Sequence, residues 1–193
     1  MSTMGSDVSN AASLHIEPGS HWLQGVRRVP SPFADERPDG TVISLVVLHS
    51  ISLPPGQFGT GAVEGLFTGQ LEAGLRAAHP DLDGLRVSAH LFVQRSGEIV
   101  QFVPFDRRAW HAGRSSWKGQ SGCNDCSIGI EIEGMDHVPY EGAQYATLRR
   151  VLTTLWQRYP GIARDAVVGH EHVAPGRKTD PGPAFDWRRL VER

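Results

Sequence analysis

The chain has 193 residues, with 19 Lys and Arg against 21 Asp and Glu, giving a net charge of −2 with histidine neutral. That length suits one domain of ordinary size, and the near balance of charge excludes a dedicated nucleic-acid or anionic-membrane binder, which carries a basic excess. Apolar residues at 39% exclude a disordered or collagen-like chain, and runs such as Leu45-Val46-Val47-Leu48 fall far short of the roughly 18 residues of a membrane span.

The opening MSTMGSDVSNAAS has neither a basic n-region nor an apolar h-region, so it does not resemble a secretory signal. Residues 1–14 are expected as a polar, mobile arm ahead of a single domain at 15–193, and the chain is expected in the cytoplasm. Residues 15–40, with Pro30, Pro32 and Pro38, form a surface lead-in. TVISLVVLH (41–49) is dense in β-branched and aliphatic residues and predicts a buried strand ending at His49. The Pro/Gly-rich SISLPPGQFGTG follows as a loop, and the long stretch from Pro54 to Leu75 is expected to act as a mobile cover beside His49. Residues 62–78 carry a partly helical pattern, weakened by three interior glycines at roughly 1 kcal/mol each. RVSAHLFVQ and EIVQFVPF flank Arg95-Ser96-Gly97 and predict a β-hairpin.

Cys123 and Cys126, in CNDC, have no second pair and no thioredoxin-like βαβ context, so they are expected as ordinary thiols on a loop. SIGIEIEG (127–134) alternates: Ile128, Ile130 and Ile132 point one way, and Gly129, Glu131 and Glu133 the other. Glu133 is expected as a solvated strand carboxylate. From Gly142 to Tyr159 the apolar residues recur at helical spacing, stopping at Pro160-Gly161. DAVVGH predicts a short strand ending at His170, followed by a loop stiffened by Pro175, Pro181 and Pro183 and a last amphipathic turn from Ala184 to Val191. Strands and helices interleave, which predicts an α/β class with a mixed sheet.

Of nine histidines, His15, His21, His79 and His137 sit in polar stretches and are expected in solvent. His90 lies within a strand and is expected in the core, and His111, in AWHAG, lines a groove or caps a loop. His49 and His170 each end an apolar strand before a Pro/Gly-rich loop, where α/β proteins place ligands. Catalytic zinc sites take three protein ligands and leave a fourth position to water. Asp180, ten residues beyond His170, completes such a set. Glu171 and His172 meet the count equally well, and an Asp before a proline also suits a plain turn.

The strings LRVSAHLFVQRSGEIVQFVPFDRRAWHAG, CNDCSIGIEIEG and GHEHVAPGRKTDPGPAFDW, with RRVPSPFADERP and VVLHSISLPPGQFG ahead of them, closely resemble the AmpD-type 1,6-anhydro-N-acetylmuramoyl-L-alanine amidases. The likeness runs from about Trp22 to Leu190. It implies a mixed central β-sheet flanked by α-helices with a zinc groove, zinc ligands at His49, His170 and Asp180, a proton acceptor at Glu131 and a transition-state stabiliser at Lys178. The phage-type branch of the superfamily differs in carrying a Tyr before the strand histidine and a Cys as third ligand, where this chain has Ala89 and Asp180. Ser50 stands where the family pattern has Asn, and Gln120-Ser121-Gly122 lacks an Arg before Cys123.

These residue types suit amide hydrolysis. Zinc lowers the pKa of bound water from 15.7 to about 7. A carboxylate at Glu131 moves the proton from that water to the leaving nitrogen, provided burial leaves it ionised. Lys178 supplies positive charge at the developing oxyanion. Arg86 suits a stem-peptide carboxylate, and Trp110 an apolar wall for the sugar. The expected activity is cleavage between the lactyl group of (anhydro-)N-acetylmuramic acid and L-Ala, on small muropeptides in cell-wall recycling, by a monomer that binds neither nucleic acid nor membrane. The rival readings are a periplasmic or secreted amidase of intact peptidoglycan and a non-catalytic peptidoglycan-binding module.

Overall fold

A computed structural model describes residues 14–190. The expected polar arm lies outside the described residues except for Leu14, whose carbonyl accepts the Thr154 hydroxyl at 3.1 Å. In chain order the described elements are β1 (Arg27–Arg28), β2 (Ala34–Glu36), β3 (Leu45–Ile51), α1 (Ala62–Thr68), α2 (Ala73–Ala78), β4 (Leu91–Val93), β5 (Ile99–Gln101) and β6 (Arg107–Ala109). They continue with β7 (Ser116–Trp117), β8 (Gln120–Ser121), β9 (Ser127–Glu133), α3 (Gly142–Arg158), β10 (Val167–Gly169) and α4 (His170–Val173). Two 3₁₀ turns, Pro80–Leu82 and Trp187–Leu190, complete the path.

The central sheet has the order β1-β5-β4-β9-β3-β10, parallel throughout except for the antiparallel β4–β5 hairpin. The fold is therefore a mixed central sheet with flanking helices. Strands β3 and β9 are buried on both faces, as the middle of a parallel sheet must be. On one face Val46, Leu48, Ile128, Ile130 and Ile132 meet Tyr145, Leu148, Val151, Leu152 and Leu155 of α3. On the other, Phe92, Val100 and Phe102 meet Ala62, Val63, Leu66 and Phe67 of α1. Nearer β10 that same face carries Leu45, Val47, Ala112, Val168 and Val173. Glu141 and Gln144 form a capping box at the start of α3, satisfying donors that a helix end leaves free.

Two local expectations change, at 62–78 and at DAVVGH. The helical pattern at 62–78 is two helices, because Gly69 takes a left-handed φ of 73° and its N–H caps α1. The stretch after Pro54 is anchored by the four buried side chains of α1, whereas α2 buries none. The DAVVGH strand ends one residue early: His170 opens α4 and does not close β10. Among the described residues, no helix is long and apolar enough to cross a membrane.

Candidate metal centre

Three elements bring the site together. His49 comes from the C-terminal half of β3, where its side chain shares a face with Val47 and, across the β3–β9 ladder, with Gly129 and Glu131. His170 is placed by the turn from β10 into α4. Asp180 returns to it because the Glu171 N–H donates to the Asp180 carbonyl at 3.0 Å, which folds the proline loop back on the start of the helix. The Tyr140 hydroxyl holds that loop from the other side by donating to the Pro181 carbonyl at 2.8 Å.

The donor atoms converge. His49 Nδ1 lies 2.9 Å from His170 Nδ1, and Asp180 Oδ2 lies 3.2 Å from His170 Nδ1 and 3.3 Å from His49 Nδ1. A tetrahedral ion with bonds of about 2.05 Å separates its ligands by about 3.3 Å, close to all three distances. His49 and His170 are buried and Asp180 is half-buried. The outer nitrogens are engaged as well: His170 Nε2 donates to the Ala112 carbonyl at 3.1 Å, and His49 Nε2 lies 2.9 Å from His111 Nδ1. A nitrogen facing a carbonyl must carry the proton, so His170 Nδ1 presents a lone pair to the centre. Two imidazole nitrogens and a carboxylate oxygen crowded into one space fit a cation between them. Beside them Glu131 Oε2 is buried with no hydrogen-bond partner among the described residues.

The electrostatics follow from burial. Desolvation pushes His49 down to about 4, against the pull of the neighbouring Asp180 carboxylate, so the ring is neutral at pH 7 as a ligand must be. Burial raises the Asp180 carboxyl, but the His170 and His49 rings beside it outweigh that and hold it well below the usual range. Burial, then the Asp180 charge, drives Glu131 well above its ordinary value, while Lys178 opposes. Lys178 is exposed on the loop before Asp180, close enough for its charge to act on both Glu131 and His49.

A family model for N-acetylmuramoyl-L-alanine amidases (Amidase_2) matches residues 39–183. The chain belongs to the N-acetylmuramoyl-L-alanine amidase family. It is 54% identical to the 1,6-anhydro-N-acetylmuramyl-L-alanine amidase AmpD of Salmonella typhimurium strain SL1344, across 90% of this chain and 92% of that one. It is 56% identical to AmpD of Citrobacter freundii, across 88% and 90%. The crystal structure of a selenomethionine derivative of AmpD superposes with a TM-score of 0.83 at 54% identity, covering 89% of this chain and 96% of that chain. A complex of AmiD from E. coli with anhydro-N-acetylmuramic acid-L-Ala-D-gamma-Glu-L-Lys superposes with a TM-score of 0.57 at 27% identity, covering 93% and 65%.

Within this amidase the other candidate residues fall into separate environments. His172 turns away from the centre: its Nδ1 accepts the Gly169 N–H at 2.9 Å and its ring meets Trp187 edge-on. Trp110 is half-buried, stacked on Phe33, with Nε1 donating to Asp35 at 3.1 Å. Arg86 is exposed and makes no hydrogen bond or ion pair among the described residues. Ser50, next to His49, faces Asp136 at 3.5 Å. Glu133 is not a solvated carboxylate. It is 5% exposed and accepts the N–H of Gly59 at 2.6 Å and of Arg95 at 3.0 Å, tying the loop after β3 to the β4–β5 hairpin. Sequence reasoning gave His111 only a groove or loop-capping role. The signal that marks it is Gly129, an isolated glycine in a strand of isoleucines: a Cβ there would lie 2.4 Å from the His111 ring.

Proposed function

We propose that this amidase is a zinc enzyme that hydrolyses the amide between the lactyl group of 1,6-anhydro-N-acetylmuramic acid and L-Ala in soluble muropeptides, as a monomer in cytoplasmic cell-wall recycling. The observation that carries the reading is the convergence of His49 Nδ1, His170 Nδ1 and Asp180 Oδ2 beside a buried Glu131 whose Oε2 has no hydrogen-bond partner among the described residues. Two neutral imidazoles and one carboxylate match a catalytic zinc set, which keeps a position free and a net positive charge at the ion. Similarity over about 90% of both chains to relatives named for the 1,6-anhydro substrate supports the bond cleaved and the small substrate.

A zinc ion held by the three residues would supply Lewis acidity toward a water and the amide carbonyl. The side chains do the rest. Glu131 accepts the nucleophile's proton and carries it to the leaving nitrogen, the role of a general acid–base carboxyl. Lys178 faces the same centre with a fixed positive charge and stabilises the oxygen that becomes negative when the carbonyl is attacked. Trp110, held by Asp35 and Phe33, offers its remaining ring edge to the sugar. Arg86, exposed and without a partner among the described residues, meets a stem-peptide carboxylate.

The test couples metal content to turnover. Protein with one zinc per chain by elemental analysis should release L-Ala-led peptide from anhydro-muropeptide, and chelation should abolish that release. Zinc binding without peptide release would leave a binding module instead. Faster release from polymeric sacculi than from soluble anhydro-muropeptide would favour a periplasmic or secreted amidase, and size-exclusion chromatography decides the monomer.

A further inference from the structure

The two histidines are held from behind by consecutive residues. His49 Nε2 meets His111 Nδ1 at 2.9 Å, and His170 Nε2 donates to the carbonyl of Ala112 at 3.1 Å. That dipeptide is gripped by one atom. Asn124 Oδ1 accepts the backbone N–H of His111 at 3.2 Å and of Ala112 at 2.8 Å. Asn124 belongs to the CNDC loop, a motif the hydrolytic chemistry leaves unused. The loop is pinned by the half-buried Arg37 guanidinium, which donates to the carbonyls of Asn124 at 3.1 Å, Asp125 at 2.5 Å and Ser127 at 2.8 Å. The His111 ring rests on Gly129, and its Nε2 lies 3.1 Å from the Ser127 hydroxyl. Arg177 donates to the same Ala112 carbonyl at 2.7 Å, fixing it further.

We propose that His111-Ala112, clasped by Asn124, is the positioning segment of the metal centre, the His111 ring orienting His49 and the Ala112 carbonyl orienting His170. The proposal rests on the zinc reading of the centre and adds its supporting layer. An imidazole ligand must present a bare nitrogen to the metal, and the hydrogen bond at its other nitrogen decides which one is bare. The Ala112 carbonyl can only accept, so it fixes the proton of His170 on Nε2. With its own proton on Nε2 toward Ser127, His111 offers Nδ1 as an acceptor, and His49 is held the same way. Both lone pairs then face Asp180. One side-chain amide thus sets two ligands at once, and an error of about 1 Å in the 111–112 backbone would misalign both rings together.

The experiment measures zinc affinity by chelator competition, together with the thermal midpoint and circular dichroism of each metal-free protein. His111→Phe keeps a ring but removes the acceptor, and it should weaken zinc binding by about 10–100-fold, the usual cost of losing an outer partner. His111→Asn retains an acceptor oxygen near the Nδ1 position and should stay near wild type. Gly129→Ala has no unfavourable φ, yet its methyl displaces the ring; it should weaken zinc binding as His111→Phe does. In zinc-loaded wild type, NMR should show a slowly exchanging Nε2 proton on His49, lost in His111→Phe. A folded His111→Phe or Gly129→Ala with wild-type zinc affinity overturns the proposal. If His111→Phe does not fold, Gly129→Ala and Asn124→Ala decide it by the same measure. Wild type that binds no zinc sinks this inference and the zinc reading together, whereas active zinc enzyme with unchanged variants sinks only this one.

Discussion

Glu131 lies directly across the parallel β3–β9 ladder from His49, in register and on the same face of the sheet. Neighbouring strands run about 4.8 Å apart, so the sheet itself fixes the separation between the imidazole proposed to hold the metal and the carboxylate proposed to shuttle the proton. Burial makes this placement costly, because it penalises the ionised form of Glu131. The folded-state pKa is raised, so the stability contribution of this group falls as pH climbs from the unfolded value through the folded one. Glu131→Gln should therefore lose at least about 10²-fold in turnover, the low end for a general acid–base group. It should keep its zinc, and the metal-free protein should melt at a higher temperature at pH 7 than wild type. Unchanged turnover would remove Glu131 from the chemistry.

Asp180 is the only one of the three donors that is charged, and it reaches the centre on a loop. Asp180→Asn keeps the shape of the side chain but weakens the donor. Its affinity for zinc should fall by more than the roughly 10–100-fold expected for an outer partner such as His111. Elemental analysis after desalting should give substoichiometric zinc, with peptide release falling in proportion. Full retention of zinc by this variant would exclude Asp180 as a ligand.

What the sequence discloses and what it hides divide by range. Strands β3 and β9 are legible because the aliphatic run at Leu45–Leu48 and the alternation of Ile128, Ile130 and Ile132 state their burial locally. The hairpin is legible because its turn chemistry is local, with Gly97 at φ 85° donating to the Gln94 carbonyl at 2.8 Å. The true start of α4 is not, because it depends on the bond from Glu171 to Asp180 across the proline loop. Ligand spacing alone leaves Glu171 and His172 as open as Asp180, and only the family resemblance separates them. Glu133 looks solvated in isolation since its donors, Gly59 and Arg95, are 74 and 38 residues away. Asn124 hides for the same reason: an asparagine in a turn is locally sufficient as a turn former.

Glu133 gives a prediction about stability apart from chemistry. Its two oxygens each take a backbone N–H, from exposed Gly59 and half-buried Arg95, while the carboxylate itself is buried. Glu133→Ala removes the partner of both donors; at Arg95 that loss costs about 1–3 kcal/mol, and at Gly59, which water can reach, at most about 1 kcal/mol. Urea unfolding should show a loss of about 1–4 kcal/mol, with faster amide exchange at Gly59 and Arg95. Zinc affinity should hold, since Glu133 touches none of the three donors. A variant as stable as wild type would mean that water replaces the carboxylate there.

The last prediction concerns acid. His90 is fully buried, its Nδ1 accepting the Gly129 N–H and its Nε2 donating to the Arg107 carbonyl, each at 3.0 Å. Both nitrogens are thus committed as a neutral ring. Burial, then the Arg37 charge, pushes its pKa down to about 3. An unfolded histidine titrates near 6.5, so between that pH and about 3 the unfolded chain takes up a proton that the fold refuses. The contribution is complete above 6.5 and is lost as pH falls through the window. From pH 7.5 to pH 5 the loss is about 2 kcal/mol. His90→Gln cannot titrate, so it should be less stable than wild type at pH 7.5, with the gap narrowing by about 2 kcal/mol at pH 5. The metal-free forms are the ones to compare by urea unfolding, because metal-linked stabilisation is then absent from both. Stability curves that run parallel across this range would show that His90 accepts its proton inside the fold, and that its buried hydrogen bonds do not hold the ring neutral.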